Sequence, residues 1–477
     1  MKMYIGGNTV DAADGKTIAV INSATQEQLD TIPAATPQDV EKALEIASAA
    51  KLGWAATPQY ERSRILQRCA DAIDERKEEL AVLLSTDMGK IIRESRPEIG
   101  VTAQIFRGYA EMANHQYGET MSEYQYGSEK DIIFTKHEPL GVVVCISPFN
   151  YPAELCAHKM ASALAAGNAV VVKPATDNPL ALLKIIEICL SCGIPGDVLQ
   201  AVTGSGAKIG DLLSSSKLVD AITFTGSTEV GLSVAKNAAA NLKRVFLELG
   251  GNDPFVVYDD ADIDLAVDAA VSGRVQNAGQ TCCAPKRFIV QNTIKSQFLE
   301  KSLERIKKVR RGSPLDEAAD LGSLINVKAA ATVEEQVRLT VSQGAKLLCG
   351  GVAYDKSYFE PTLIDEVTLE MDIARDLEVF GPVIPVIGFD TMEEAISISN
   401  ATRYGLQGGV MTQDYRKALK TASMLQCGSV CINTSGCYRN VDQPFGGCKM
   451  SGLGREGISV TLEEMTQKKS YILKDVL

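Results

Sequence analysis

The sequence predicts an α/β protein of two domains, on three observations. Apolar segments of strand length alternate with amphipathic helical segments, which is typical of a mostly parallel sheet with helices on its faces. The segment 250–254, Gly-Gly-Asn-Asp-Pro, breaks this alternation into two regions. The length of 477 residues exceeds what a single core of ordinary size needs.

The region before the break begins with helices and continues as alternating strands and helices. Apolar residues at helical spacing predict two long helices, over 39–49 and 61–83. A further helix is predicted over 179–191, where Cys189 and Cys192 are interpreted as packing residues rather than redox or metal groups. The predicted strands are 132–135, 141–146, 170–173, 198–202, 221–225 and 245–248.

The region after the break repeats the pattern of strands and helices. Its predicted strands are 255–258, 287–290, 383–387 and 429–432, and its predicted helices include 294–309 and 392–400. We therefore expect a second α/β domain that joins the first near Gly250.

Composition and charge argue against several classes of function. A net charge of −12 and a pI of about 5.0 disfavour a nucleic-acid partner, which requires a basic face. Residues 1–10 lack a long apolar run and no segment has the length of a membrane span, so we expect a cytoplasmic protein without a membrane partner. Twelve irregularly spaced cysteines argue against a disulfide framework, and three histidines leave little material for a metal site, so none is expected.

Two motifs at strand ends are candidates for binding ribose or phosphate. Lys173 follows a buried strand, at the sheet edge where ligands bind in open α/β folds, although a solvated strand-end lysine is an equal alternative. Gly226 and Ser227 stand between a strand and a helix, so a phosphate could approach the helix N-terminus there. An ordinary capped turn is the alternative, because the full G-x-G-x-x-G spacing is missing.

Three further residues suit catalysis. Glu248 ends an apolar strand, where desolvation would raise its pKa and make it a general base, unless it faces water. Cys282 follows a glycine turn and is either a nucleophile or a packing residue, with no histidine nearby in sequence. Asn150 stands between two prolines, where a rigid amide could stabilise an oxyanion or simply form a turn.

Taken together and in order, seven motifs resemble those of the aldehyde dehydrogenase superfamily. They are SPFNYP, VVVKPAT, FTGS, LELGG, GQTC, EVFGP and PFGG…SGLGREG, and the similarity covers almost the whole chain. The resemblance implies a Rossmann-like cofactor domain, an α/β catalytic domain and a small β oligomerisation element, and hence a homodimer or homotetramer. The implied division is 1–119 and 140–250 for the cofactor domain, 251–443 for the catalytic domain, 444–463 for a return to the cofactor domain, and 120–139 with 464–477 for the oligomerisation element.

The resemblance also assigns catalytic roles by motif. Cys282 would attack the aldehyde carbon, and the Asn150 amide with the backbone N–H of Cys282 would stabilise the oxyanion. Glu248 would activate the water that hydrolyses the thioester, and Glu456 is a candidate second proton acceptor. Members that transfer the acyl group to coenzyme A usually lack the glutamate at 248, so its presence favours a free carboxylic acid as product.

The cofactor implied by the resemblance is NADP or NAD. Thr176 decides between them, because members that favour NAD often carry a glutamate there, which repels a 2′-phosphate. Threonine removes that repulsion, so we expect NADP to be accepted and moderately preferred. The cofactor-binding residues implied are Ser147, Phe149, Lys173, Thr176, Gly226, Ser227, Glu378 and Phe380.

The substrate is expected to be a small aldehyde. Parts of the sequence resemble the branch of lactaldehyde, succinate-semialdehyde and non-phosphorylating glyceraldehyde-3-phosphate dehydrogenases. Arginines that serve anionic substrates in that branch are absent where His115, Gln276 and Thr281 stand, which favours a hydroxyaldehyde such as lactaldehyde or glycolaldehyde. The candidate substrate-binding residues are His115, Tyr151, Thr281, Cys283 and Arg439.

Three alternatives to this function are kept. The first is a succinate-semialdehyde or glyceraldehyde-3-phosphate dehydrogenase with an anionic substrate. The second is an enzyme that forms a coenzyme A thioester instead of an acid. The third is a non-catalytic protein on the same scaffold, which the presence of Asn150, Glu248 and Cys282 disfavours.

Overall fold

A computed structural model describes residues 1–122 and 125–477. Its helices are α1 Pro37–Ala56, α2 Gln59–Glu75, α3 Lys77–Met88, α4 Ile92–Ala113, α5 Pro152–Ala166, α6 Leu180–Ser191, α7 Gly206–Ser215, α8 Thr228–Ala239, α9 Ile263–Val275, α10 Asn292–Lys307, α11 Val327–Ser342, α12 Met392–Asn400, α13 Tyr415–Met424 and α14 Ile458–Glu464. Its strands are β1 Met3–Ile5, β2 Asn8–Val10, β3 Thr17–Ile21, β4 Gln28–Pro33, β5 Thr120–Met121, β6 Ile132–Pro139, β7 Val142–Ile146, β8 Ala169–Lys173, β9 Leu199–Ala201, β10 Ala221–Thr225, β11 Arg244–Glu248, β12 Pro254–Val257, β13 Arg287–Gln291, β14 Lys346–Cys349, β15 Ala353–Tyr354, β16 Tyr358–Phe359, β17 Thr362–Asp365, β18 Val383–Phe389, β19 Gln407–Met411, β20 Ser429–Ile432, β21 Gly452–Leu453 and β22 Thr466–Leu473.

The first large sheet has the order β2-β1-β9-β8-β7-β10-β11-β21. Strands β9, β8, β7, β10 and β11 run parallel, with antiparallel strands at both edges. Apolar cores lie on both of its faces, as expected for a parallel sheet covered by helices. The carboxyl ends of β7, β8, β10 and β11 therefore meet at one edge, which places the motif residues together.

The second large sheet has the order β14-β17-β18-β13-β12-β19-β20 and its own apolar core. All of its strands pair in parallel except β14, which is antiparallel to β17. A third sheet, β22-β6-β5, joins the C-terminal strand to the hairpin before β7. The predicted α/β fold with two main sheets and a small β element is confirmed, whereas the exact division into domains stays a prediction.

Two local predictions differ from the structure. The single helix predicted over 61–83 is two helices, because the chain leaves helical geometry at Arg76, with φ −105° and ψ 18°. The N-terminal strands β1 to β4 were not predicted: β1 is buried but only three residues long, β2 is a short edge strand, and β3 with β4 forms a small separate hairpin. Neither difference affects the edge of the first sheet that carries the motifs. Within 1–122 and 125–477, no helix has the length and apolar character needed to cross a membrane.

Candidate active site

Two cavities meet at Cys282. The large cavity has a volume of about 490 Å³, and its walls include Asn150, Ser227 and Glu378. The small cavity has a volume of about 300 Å³, and its walls include Tyr151 and Arg439. Cys282 lies on the wall of both, so its side chain is reachable from two directions.

The loop before Cys282 is held in an unusual conformation. Asn277, Ala278 and Gly279 all have positive φ, and a Cβ on Gly279 would lie 2.3 Å from the carbonyl carbon of Gly381. Hydrogen bonds hold the loop in place: the backbone N–H of Asn277 donates to Glu94 over 2.8 Å, and its side-chain amide donates to the Asn150 carbonyl over 3.0 Å. The glycine turn of the sequence therefore fixes Cys282 next to Asn150.

Cys282 is half-buried and its thiol is not acidic at rest. Contact with the neighbouring Cys283 thiol and burial raise the pKa of Cys282 well above its usual range, although Lys286 and Arg439 act in the opposite direction. The Lys286 ammonium also donates to the Cys282 main-chain carbonyl. Cys282 therefore needs a base, or a change of surroundings when the cavities fill, to become a thiolate.

Glu248 is the buried carboxylate at the end of β11. Burial and the Glu456 carboxylate raise the pKa of Glu248 well above its usual range, and Cys282 acts in the same direction. Its Oε2 atom has no hydrogen-bond partner among the residues that the structure describes. A carboxylate with a raised pKa and an unused oxygen is suited to take a proton from a water or a thiol.

Glu456 is held as an anion by two cations. Its Oε2 accepts from Arg439 over 3.0 Å, and its Oε1 accepts from the buried ammonium of Lys159. Burial acts to raise the pKa of Glu456, but Lys159 and Arg439 outweigh burial and bring it to about 2. Glu456 therefore stays charged at neutral pH, and its negative charge is one cause of the raised pKa of Glu248.

Asn150 presents a fixed amide donor. Its main-chain carbonyl accepts from Lys90 over 2.8 Å, and its side-chain Oδ1 accepts from the Tyr151 N–H over 3.1 Å. Within the described ranges its Nδ2 donates to no protein group, so this donor is available to a ligand. Asn150 and Cys282 both line the large cavity, the arrangement needed for an oxyanion donor beside a nucleophile.

Five of the eight predicted cofactor residues line the large cavity: Phe149, Gly226, Ser227, Glu378 and Phe380. Ser227 caps α8 by accepting from the Val230 N–H over 3.4 Å, so a helix N-terminus opens beside the cavity. Glu378 lies 3.3 Å from Lys286 and accepts from the Gly251 N–H over 3.1 Å. These groups fit a dinucleotide, with a helix terminus for phosphate and a carboxylate for ribose hydroxyls.

The other three predicted cofactor residues do not line the large cavity: Ser147 follows β7, Lys173 ends β8, and Thr176 lies on the loop after β8. Lys173 is buried, its ammonium donates to the Pro174 carbonyl over 3.1 Å, and burial lowers its pKa to about 8. The Thr176 hydroxyl donates to the Gly204 carbonyl over 3.0 Å, and the Ser147 hydroxyl donates to the Pro152 carbonyl over 3.1 Å. All three side chains are thus engaged with main-chain carbonyls.

Four of the five predicted substrate residues line the small cavity: Tyr151, Thr281, Cys283 and Arg439. The Tyr151 hydroxyl lies 3.3 Å from the Thr281 hydroxyl and accepts from Gln276 over 3.1 Å. His115, the fifth, is exposed after the end of α4 and lines neither cavity. Its ring lies 3.3 Å from the Tyr117 hydroxyl instead.

Several residues of the small cavity were missed in the sequence: Val101, Gln104, Glu154, Leu155, Cys437, Asn440, Val441 and Phe445. Many of them lie on helix faces or loops that only the fold brings together. Two of them could have been predicted from the sequence. Glu154 and Leu155 stand three and four positions after Tyr151, a predicted substrate residue, so all three share one face of α5.

Comparison with known proteins agrees with this geometry. Residues 9–471 match the family model described as "Aldehyde dehydrogenase family". A glutarate-semialdehyde dehydrogenase of Pseudomonas putida is 39% identical over 98% of this chain and 96% of its own length. A lactaldehyde dehydrogenase of Methanococcus maripaludis is 38% identical over 99% of this chain and 100% of its own length. The crystal structure of an E. coli NADP-dependent enzyme superposes with a TM-score of 0.96 at 35% identity, covering 99% of this chain and 98% of the other.

Proposed function

Because the chain belongs to the aldehyde dehydrogenase family, we propose that it oxidises a short hydroxyaldehyde such as lactaldehyde or glycolaldehyde to the free acid, with Cys282 as nucleophile. The observation that carries this proposal is the position of Cys282 on the wall shared by both cavities. One cavity can hold the aldehyde and the other the dinucleotide, so both reach the same carbon.

The chain's own groups account for the covalent steps. The Cys282 thiol gives its proton to water and its sulfur attacks the aldehyde carbon; the resulting oxyanion accepts hydrogen bonds from the Asn150 amide and the Cys282 backbone N–H. The carbonyl re-forms as the C–H bond breaks and hydride leaves this carbon, which gives the thioester. A bound nicotinamide dinucleotide supplies the hydride acceptor. Glu248 then takes a proton from a water whose oxygen bonds to the acyl carbon; the C–S bond breaks and the acid leaves.

Glu456 takes a different role from the one suggested by the resemblance. Its ion pairs with Lys159 and Arg439 keep it charged, with a pKa of about 2. A carboxylate with so low a pKa is a poor second base near neutral pH. We assign it instead to raising the basicity of Glu248 through its charge.

NADP is the cofactor that we propose to be preferred, with NAD also accepted. Thr176 is uncharged, so no carboxylate at this position repels a 2′-phosphate. Lys173 lies close by at the end of β8, and the E. coli relative of similar structure is described as NADP-dependent. Both features favour a cofactor with the additional phosphate.

An uncharged substrate is favoured because Arg439 is already paired. Its guanidinium lies 3.0 Å from Glu456 and 3.9 Å from Glu154, so its charge is compensated within the protein. An anionic semialdehyde is the second candidate, since the P. putida relative is named for one. One observation favours it: Arg439 Nε is buried and has no hydrogen-bond partner among the described residues.

The third sheet supports an oligomeric state. Among the described residues, strand β22 pairs with β6 alone, and its own residues are mostly exposed. An unpaired strand edge of this length is commonly covered by another chain. We propose that β22 contributes to a homodimer or homotetramer, which light scattering of the purified protein would measure.

The test of the function is a panel of aldehydes with each dinucleotide and with identification of the product. We expect NADPH formation with lactaldehyde or glycolaldehyde, a free acid as product, and no dependence on coenzyme A. The Cys282→Ser variant should lose this activity, with Cys192→Ser, a cysteine distant from both cavities, as the matched control. A thioester product, or full turnover by Cys282→Ser, would contradict the proposal.

A further inference from the structure

Glu154 is a carboxylate on the wall of the small cavity. It lies in the first turn of α5, three residues after Tyr151, and its side chain is 15% exposed. The same wall carries Gln104, Gln276 and Asn440. The end of the small cavity is therefore polar, although an aldehyde carbon near Cys282 needs no such groups.

The oxygens of Glu154 have unused hydrogen-bonding capacity. In the described ranges no N–H or O–H of the protein donates to them, and the nearest cation, Arg439, is 3.9 Å away, beyond hydrogen-bonding distance. A buried carboxylate without donors is costly unless a ligand or water supplies them. Glu154 is thus poised to accept a hydrogen bond from whatever fills the cavity.

Glu154 also compensates the only cation on this wall within the described residues. Arg439 faces Glu154 on one side and Glu456 on the other, while Lys159 is bound to Glu456 behind the wall. These two cations and two carboxylates sum to no net charge. A carboxylate or sulfonate bound beside Arg439 would also lie close to the Glu154 carboxylate, which would repel it.

From these two observations we infer that Glu154 determines substrate specificity: it accepts a hydrogen bond from a hydroxyl group of the aldehyde and excludes aldehydes that carry an anionic group. This inference rests on the proposed aldehyde oxidation and specifies its substrate class. It implies that the hydroxyl of a substrate such as lactaldehyde lies toward α5 when the carbonyl carbon lies at Cys282.

The experiment compares three aldehydes of similar size: lactaldehyde, propanal, which lacks the hydroxyl, and succinate semialdehyde, which is anionic. The wild-type protein should prefer lactaldehyde to propanal by about tenfold or more in kcat/KM, the effect of one hydrogen bond to a charged acceptor. Glu154→Gln should lower this ratio about tenfold. The same variant should raise kcat/KM for succinate semialdehyde relative to propanal about tenfold, because Arg439 becomes available to the carboxylate.

Two further variants make the outcome specific. Adding Arg439→Met to Glu154→Gln should abolish the gain for succinate semialdehyde, whereas Glu79→Gln, at an exposed ion pair with Arg76, should leave all ratios unchanged. Equal kcat/KM values of the wild-type protein for lactaldehyde and propanal would show that the hydroxyl contact does not exist, whatever the variants do. Unaltered ratios in Glu154→Gln would also overturn the inference, while a wild-type protein that oxidises none of the three aldehydes would contradict the proposed function itself.

Discussion

The ammonium of Lys90 lies 2.8 Å from the main-chain carbonyl oxygen of Asn150. The same ammonium forms a fully buried ion pair with Glu98 and lies 3.6 Å from the centre of the Tyr151 ring. Glu98 in turn accepts from the Ala153 N–H over 3.0 Å, at the start of α5. One buried ion pair thus positions both Asn150, the proposed oxyanion donor, and the first turn of α5, which lines the small cavity.

Replacing Lys90 with methionine should therefore reduce both stability and catalysis. The change leaves the Glu98 carboxylate buried without a cation, which costs about 3–5 kcal/mol in free energy of unfolding. Urea denaturation would measure this loss, and Lys90→Met/Glu98→Gln should recover part of it. The kcat of the folded fraction should fall about tenfold or more through displacement of Asn150; an unchanged kcat would show that Lys90 serves stability alone.

Replacing Glu248 with glutamine should separate the two halves of the reaction. Hydrolysis of the thioester loses its base, and general base catalysis typically contributes about 10²–10⁴-fold. Rapid mixing should show a burst of NADPH of about one equivalent per active site, followed by slow turnover, and the acyl group should be found on Cys282 by mass spectrometry. A slow first turnover without a burst would mean that Glu248 acts before the thioester forms.

The same variant should change the dependence of stability on pH. The pKa of Glu248 is raised by burial and by Glu456, so the folded chain keeps this proton at pH values where the unfolded chain has lost it. Wild-type stability therefore falls as pH rises from about 4.3, the ordinary glutamate pKa, toward the raised value. Glu248→Gln should gain stability relative to wild type across this window and match it below. Parallel unfolding curves at every pH would argue against the raised pKa.

Replacing Thr176 with glutamate should selectively weaken NADP. A carboxylate there would repel the 2′-phosphate, which we expect to lower kcat/KM for NADP about 10- to 100-fold relative to that for NAD. Thr176→Ser is the matched control, since a serine hydroxyl can keep the bond to the Gly204 carbonyl. An equal loss of kcat/KM for both dinucleotides would show that residue 176 supports the loop and does not discriminate between cofactors with and without a 2′-phosphate.

The parts of the fold that could be predicted are those with a strong local pattern. Strand β10 and helix α12 were predicted with the observed bounds, because each is a short segment with clear apolar periodicity and clear ends. The break at Arg76 was not foreseeable, since apolar spacing continues on both sides of it. Strands β1 and β2 were missed because three residues are too few to show a pattern, and β3 and β4 because their side chains are mostly exposed or half-buried.

The same distinction applies to the site. Asn150 follows β7 and Glu248 ends β11, and parallel strands bring these carboxyl ends to one edge of the first sheet, whereas Cys282 lies on the loop before β13 of the second sheet. The opposition of Glu154 and Arg439 could not be predicted, because it depends on how α5 and the loop after β20 approach each other. His115 lies just beyond the end of α4 and is exposed, while Val101 and Gln104, further back on α4, line the small cavity.

The shared wall at Cys282 has a consequence for the order of events in turnover. In the proposed arrangement the aldehyde and the dinucleotide occupy two cavities that share the Cys282 wall, so neither needs to leave through the other's cavity. The spent nucleotide can exchange while an acyl group is still attached, and the acid can exit while a nucleotide is seated. The order in which the two products leave is then set by their relative rates of dissociation from the two cavities.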